Sequence, residues 1–224
     1  MDPLLEVAAL LAILLFFSIF SYKKKSLDKE GILIGNIIGV LTFMLGGLQN
    51  FLMIVFFFVI AEISTRFARK KNAENHEKRT TGNILGNSGA AIIALGLNSQ
   101  IAFFGAISAA LADTLSSEIG LLSKKKPRLI TTFKEVEPGT DGGITILGTV
   151  ASFLGAGLVA IIHSLLNGNP FALAALVFAG VAGSFVDSFF GAGFERSNVL
   201  NNAEVNFLGS SAGAIIAYSL LTLL

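Results

Sequence analysis

Eight apolar runs separated by short polar breaks set the limits on how this chain folds: roughly 3–21, 31–48, 50–67, 83–98, 100–121, 143–166, 170–193 and 206–223. About 20 apolar residues suffice to cross a bilayer core, and backbone inside lipid must satisfy its own hydrogen bonds, so the runs predict helices. The expected fold is all-α, a polytopic membrane helical bundle of about eight spans. Seven spans are possible, since some runs are short enough to tilt or to cross only part of the bilayer. Composition agrees, with 53% hydrophobic and 14% charged residues in 224, outside the soluble globular range. The whole of 1–224 reads as a single transmembrane domain. Its first run lacks a small-residue cleavage site before Lys23 and is expected to remain as a helix.

Charge gives the orientation. Every Lys and Arg falls in four connections, 21–30, 66–82, 122–142 and 194–205, while the turns near Gln49-Asn50, Asn98-Ser99-Gln100 and Asn167–Pro170 have none. By the positive-inside rule the four connections face the cytoplasm and both termini lie outside, in a cell-membrane protein. A net charge of +1 gives no general field for nucleic acid, so none is expected as a partner. The absence of cysteine rules out disulfides, thiolate catalysis and sulfur-ligated metals.

The chain also repeats itself. Glycine-rich helix starts recur at Gly31-Ile-Leu-Ile-Gly35-Asn36, Gly82-Asn83-Ile-Leu-Gly86-Asn87-Ser88-Gly89, Gly142-Gly143-Ile-Thr-Ile-Leu-Gly148 and Asn206-Phe-Leu-Gly209. Three of these lead, through an outer turn, to a returning run with an acid and then hydroxyls: Glu62-Ile-Ser64-Thr65, Asp113-Thr114-Leu-Ser116-Ser117 and Asp187-Ser188. Hairpin repeats are expected at about 31–68, 82–121 and 142–194, with an unpaired last helix at 206–223, and their acids should converge at one depth. Gly35, Gly39, Gly86, Gly148 and Gly155 read as positions of close helix approach. Asn83 and Asn87, near a helix start, sit where free N–H groups favour an anion.

Carboxylates in a membrane helix are costly and point to function. Asp113 and Ser117 share a helix face, Thr114 and Glu118 another, and Asp187 is the repeat partner of Asp113. Asp113, Glu118 and Asp187 are therefore the candidate catalytic and metal-binding residues. Oxygen-only ligands suit magnesium, and no pair of histidines has the spacing of a zinc site. Glu62 has Arg66 one turn on, and an ordinary ion pair suffices for it. Lys78, Arg79, Thr81 and Asn83 run straight into a helix N-terminus and are read as phosphate-binding, although no Walker A pattern occurs. Ser117 on the run 100–121 and Lys134, Thr140 and Asp141 in the third connection join this nucleotide- and phosphate-binding set, while Lys124–Lys126 read as a topology signal. Asn201 and Asn202 precede the last helix, either to read a base or to cap that helix.

The stretches Ala112-Asp113-Thr114-Leu-Ser116-Ser117-Glu118-Ile-Gly120, Thr131-Thr132-Phe133-Lys134-Glu-Val-Glu-Pro138-Gly139-Thr140-Asp141-Gly142-Gly143 and Leu200-Asn201-Asn202 resemble the phytyl-phosphate kinase family of integral membrane proteins. The resemblance runs from about the third helix to the end, and Asp141 stands where family members often carry Glu. It implies phosphoryl transfer from a nucleotide triphosphate, CTP in related polyprenol kinases, to an isoprenoid monophosphate, giving the diphosphate. The implied cofactors are Mg2+ and CTP. The partners are the isoprenoid monophosphate, the nucleotide and the lipid bilayer, with a homodimer possible. Two other readings stand beside it: a transporter of a phosphorylated or anionic substrate, and a CTP-dependent cytidylyltransferase that makes a CDP-lipid.

Overall fold

The computed structural model describes residues 2–24, 26–71 and 81–222. Its helices are α1 (Pro3–Lys24), α2 (Lys29–Lys71), α3 (Thr81–Gly96), α4 (Gln100–Gly120), α5 (Ile146–Asn167), α6 (Phe171–Phe190) and α7 (Asn202–Thr222), with a π turn (Gly191–Glu195) extending α6. Gly47 divides α2, with a φ of 74° and a ψ of −174°, a conformation open mainly to a residue without Cβ. The chain turns back there: the Phe43 and Phe51 rings meet with centroids 6.5 Å apart, where eight residues of straight helix would separate them by about 12 Å. The runs 31–48 and 50–67 are thus two arms of one hairpin, whose reversal falls slightly before the Gln49-Asn50 break.

Five helices, α1, α2, α5, α6 with its π turn, and α7, are long and apolar enough to cross a membrane. At 16 residues, α3 is about 24 Å long, short of a ~30 Å hydrocarbon core. Enclosure accounts for the lower apolarity of α4. Residues 102–112 of α4 are buried without interruption, because α2, α3, α5, α6 and α7 all pack on it. A helix wrapped in protein needs no lipid-facing surface, and small and polar residues take its positions instead.

Those small residues bring the backbones together. A Cβ added at Gly105 of α4 would lie 2.5 Å from Gly213 O of α7, and one at Gly183 of α6 would lie 2.5 Å from Ala109 Cβ and 2.8 Å from Gly209 O. On α5, Gly148 and Gly155 have the same relation to α4, 2.7 Å from Ser116 O and 2.8 Å from Leu111 O, and Gly86 faces Ala203 of α7. These glycines and Gly39, beside Leu14 and Phe51, serve close approach as the sequence suggests. Gly35 does not: nothing lies within 4 Å of a Cβ placed there.

Helix starts are fixed by side chains. Thr145 Oγ1 accepts from Gly148 N at 2.9 Å, and Ser99 Oγ accepts from Ala102 N at 3.4 Å. At the end away from the basic connections, Asn50 Nδ2 donates to Gln100 Oε1 at 2.9 Å and ties two turns together. The all-α expectation has one local exception. Between α4 and α5 the short strands β1 (Arg128–Leu129) and β2 (Gly143–Ile144) pair antiparallel. Pro127 and the positive φ angles of Phe133, Gly139 and Gly142 bend this segment into tight turns, where no helix can propagate.

Replacing Gly213 with Leu should cost about 1–3 kcal/mol of stability through overpacking, read as a lower unfolding temperature of the detergent-solubilised protein. Gly35→Ala, which meets open space, should leave that temperature unchanged or raise it slightly.

Candidate functional site

The site lies where α4, α6 and α7 cross near the end that bears the basic connections. Asp113 on α4 and Asp187 on α6 have their carboxyl groups within hydrogen-bonding reach of each other. Ser184 Oγ donates to Asp113 Oδ1 at 3.4 Å. On the third side Gly209 of α7 leaves room for Asp187: a Cβ there would sit 2.8 Å from the Asp187 Cβ and 3.1 Å from its Oδ2. Glu195 and Asp141 are close enough to act on the pair electrostatically. Two carboxylates so placed repel each other unless a cation or a shared proton stands between them.

The pair faces a chamber of about 700 Å³. Ser116, Ser117, Ser188, Asn83, Asn202 and Asn206 supply much of its polar wall, and the α4–α5 connection from Pro138 to Thr145 forms another side. That connection is anchored by Gly142, whose φ is 72°. A Cβ on it would lie 2.5 Å from Ser188 O and also strike Ala192, so the loop backbone rests directly on the π turn. Such turns frequently mark functional positions in helices, because the extra residue re-aims the side chains that follow. Here Glu195 follows, and it borders the chamber.

Of the residues singled out from sequence, Asp113, Asp187, Asn83, Ser117, Thr140, Asp141 and Asn202 line this chamber. Glu118 does not join Asp113 and Asp187. Five residues along a helix rotate a side chain by about 140°, and Glu118 Oε1 instead accepts from Thr65 Oγ1 on α2. Glu62 is likewise elsewhere, paired with Arg66 at 2.6 Å, so two of the three repeat acids converge rather than three. Asn87 faces away from the chamber toward a cavity between α1, α2 and α3. Thr81 starts α3 outside the chamber wall, its Oγ1 buried and without a hydrogen-bond partner among the described residues. Lys134 is exposed on the outer bend of the β1–β2 segment. Asn201 is a cap: its Oδ1 accepts from Glu204 N at 3.1 Å while Glu204 Oε2 accepts from Asn201 N at 2.8 Å, a reciprocal capping box. Lys78 and Arg79 lie outside the described residues.

Lys125 and Glu195 have no site role in the sequence reading. Lys125 is the cation lining the chamber among the described residues, yet within Lys124–Lys126 nothing distinguishes it; its neighbour Lys126 binds Glu137 at 2.7 Å. Asn206, in the amide-rich stretch that opens the last helix, lines the chamber one turn beyond Asn202, whose Oδ1 accepts from Asn206 Nδ2 at 3.2 Å. Glu195 depends on the π turn, which leaves no sequence signal. Among the described residues no group of three or more acids or histidines is set to hold a metal. The facing Asp113 and Asp187 nevertheless suit a hard divalent cation of the magnesium type, which takes one or two carboxylates and completes its shell with water and phosphate oxygens.

Comparison with known proteins places the chain by sequence. A model described as integral membrane protein DUF92 matches residues 12–214. The chain belongs to the DUF92 family of integral membrane proteins. Among DUF92 relatives, an uncharacterized membrane protein of Methanocaldococcus jannaschii is 37% identical, over 96% of this chain and 94% of its own length. Protein PGR of Arabidopsis thaliana is 34% identical over 79% of this chain and 75% of its own. Protein VTE6, chloroplastic, of the same plant is 30% identical over 85% of this chain and 64% of its own. These relatives support the resemblance to the phytyl-phosphate kinase family. No solved structure matches this DUF92 chain.

Asn201→Ala should lower stability by about 1 kcal/mol, the usual cost of a lost cap, measured by thermal unfolding in detergent. Unchanged stability would contradict its capping role.

Proposed function

We propose that this DUF92 protein is a prenyl-phosphate kinase: it transfers the terminal phosphoryl group of a nucleotide triphosphate, CTP by preference, to an isoprenoid monophosphate and yields the diphosphate. The observation that carries this reading is the Asp113–Asp187 pair, half-buried between helices and open to a polar chamber at one end of a membrane bundle. Similarity to Protein VTE6 and the family motifs support the same chemistry. Since the connections at that end carry every Lys and Arg, the chamber is assigned to the cytoplasmic face, with both termini outside.

In this mechanism Asp113 and Asp187 would hold Mg2+, which supplies charge neutralisation for the phosphates of donor and acceptor. Asn83, Asn202, Thr140 and Lys125 border the space for the polyanion, with amide, hydroxyl and ammonium donors suited to phosphate oxygens. Ser116, Ser117 and Ser188 offer further hydroxyls beside the pair. The loop held by Gly142 against the π turn forms one wall of the chamber. An oxygen of the acceptor monophosphate attacks the terminal phosphorus while the bond to the nucleoside diphosphate breaks. That oxygen already bears negative charge, so no strong base is required, and positioning with electrostatic stabilisation supplies the rate.

Asp113→Asn should lower turnover on the order of 10²- to 10³-fold with insertion and unfolding temperature preserved, whereas Glu118→Gln, on the other face of α4, should cost far less. The assay is conversion of geranylgeranyl monophosphate with labelled CTP. Release of CDP with a prenyl diphosphate is expected; release of pyrophosphate with a CDP-lipid would replace the kinase by a cytidylyltransferase.

A further inference from the structure

A second, apolar cavity lies outside the chamber, enclosed by α1, both arms of α2 and the first half of α3. Phe17, Ile54, Phe57 and Phe58 are among its walls, while Asn36, Asn83, Asn87 and Ser88 give it a polar side. Its lining extends from Ile13 to Ser21 on α1, Ile32 to Gly39 on the first arm of α2 and Phe51 to Phe58 on the second. Its lining runs about 12 Å along α1 at 1.5 Å per residue, and its volume is about 100 Å³. Gly35 lines it with open space before its Cβ position. Asn83 borders both this slot and the polar chamber, so the two spaces adjoin at the start of α3.

We propose that the slot between α1, α2 and α3 holds the head-proximal part of the acceptor's isoprenoid tail and delivers its phosphate past Asn83 into the Asp113–Asp187 chamber; this rests on the kinase reading above. The occupant follows from the juxtaposition. A ligand that fills an apolar slot and ends in a chamber built for phosphate is an apolar chain with an anionic head. Polar substrates gain nothing from phenylalanine walls, and an apolar molecule without a head gains nothing from the chamber. A cavity of about 100 Å³ encloses only the head-proximal few carbons of a long tail, whose full length approaches that of a ~30 Å hydrocarbon core. The remainder continues into the bilayer, so the slot senses the presence of a tail beyond its first units rather than its full length.

The test uses purified full-length protein in liposomes, with Gly35→Leu as the main variant, Val55→Phe as a second obstruction of the same slot, and Gly35→Ala as control. A leucine or phenylalanine side chain standing in the slot excludes tail carbons from it, so KM for geranylgeranyl monophosphate should rise at least about tenfold in both obstructed variants. KM for isopentenyl monophosphate, with almost no tail, should stay the same, as should kcat. A geranylgeranyl monophosphate with a diazirine near its head should label peptides of α1 and α2 in the wild type and lose that labelling in Gly35→Leu. Equal KM values across variants, or labelling confined to other helices, would overturn the slot while leaving the kinase intact. Should the wild type convert no prenyl monophosphate at all, the kinase reading falls. The labelling then decides the slot: a phosphatidylglycerol bearing the diazirine on an acyl chain that labels α1 and α2 as well as the prenyl probe does would make it a general lipid site and overturn the assignment.

Discussion

Two carboxyl groups facing each other between membrane helices are the costliest element of this molecule, and much of the surrounding structure can be understood as what makes them tolerable. Asp113 and Asp187 approach because α4, α6 and α7 approach, and those helices do so only where Gly105, Gly183, Gly209 and Gly213 leave backbone against backbone. Gly209 clears the space that Asp187 occupies. Packing and chemistry therefore meet in the same few residues. A larger residue at Gly209 would push α7 off the acid as surely as it would strain the bundle.

Around this crossing the molecule is layered. α4 is the inner helix, ringed by its neighbours, and α1 stands outermost against α2. Polar groups gather at one end of the inner layer, and apolar side chains line the slot of the outer layer. The β1–β2 segment gives the chamber a wall without adding a domain. Its seat on the π turn couples the loop that carries Thr140 and Asp141 to the helix that carries Asp187.

Much of this was legible in the sequence, since hydrophobic run length and charge placement are local signals. Each expected run has a helix, and Asp113 and Asp187, both singled out as acids inside apolar runs, share a wall. What sequence left undecided depends on rotation and on long-range contact. Glu118 is near Asp113 in sequence, but helix rotation turns it toward Thr65. Asn201 has the composition of both a ligand and a cap, and only its exchange of hydrogen bonds with Glu204 tells which. Lys125 and Lys134 trade importance because the path of a turn-rich loop cannot be read from its charges. Gly35 resembles the packing glycines in spacing but faces a cavity, a difference that depends on what stands opposite.

The shortness of α3 has an effect on the membrane itself. Leu85, Ile93 and Leu97 leave much of their surface outside the bundle, so this helix meets lipid while being about 24 Å long by its 16 residues. A bilayer accommodates a short apolar stretch by thinning, at a modest cost per ångström of mismatch. The headgroup plane should therefore dip beside α3, bringing interfacial phosphates down toward Asn83 before any of them is bound. The protein would then deform the sheet of lipid in which it sits.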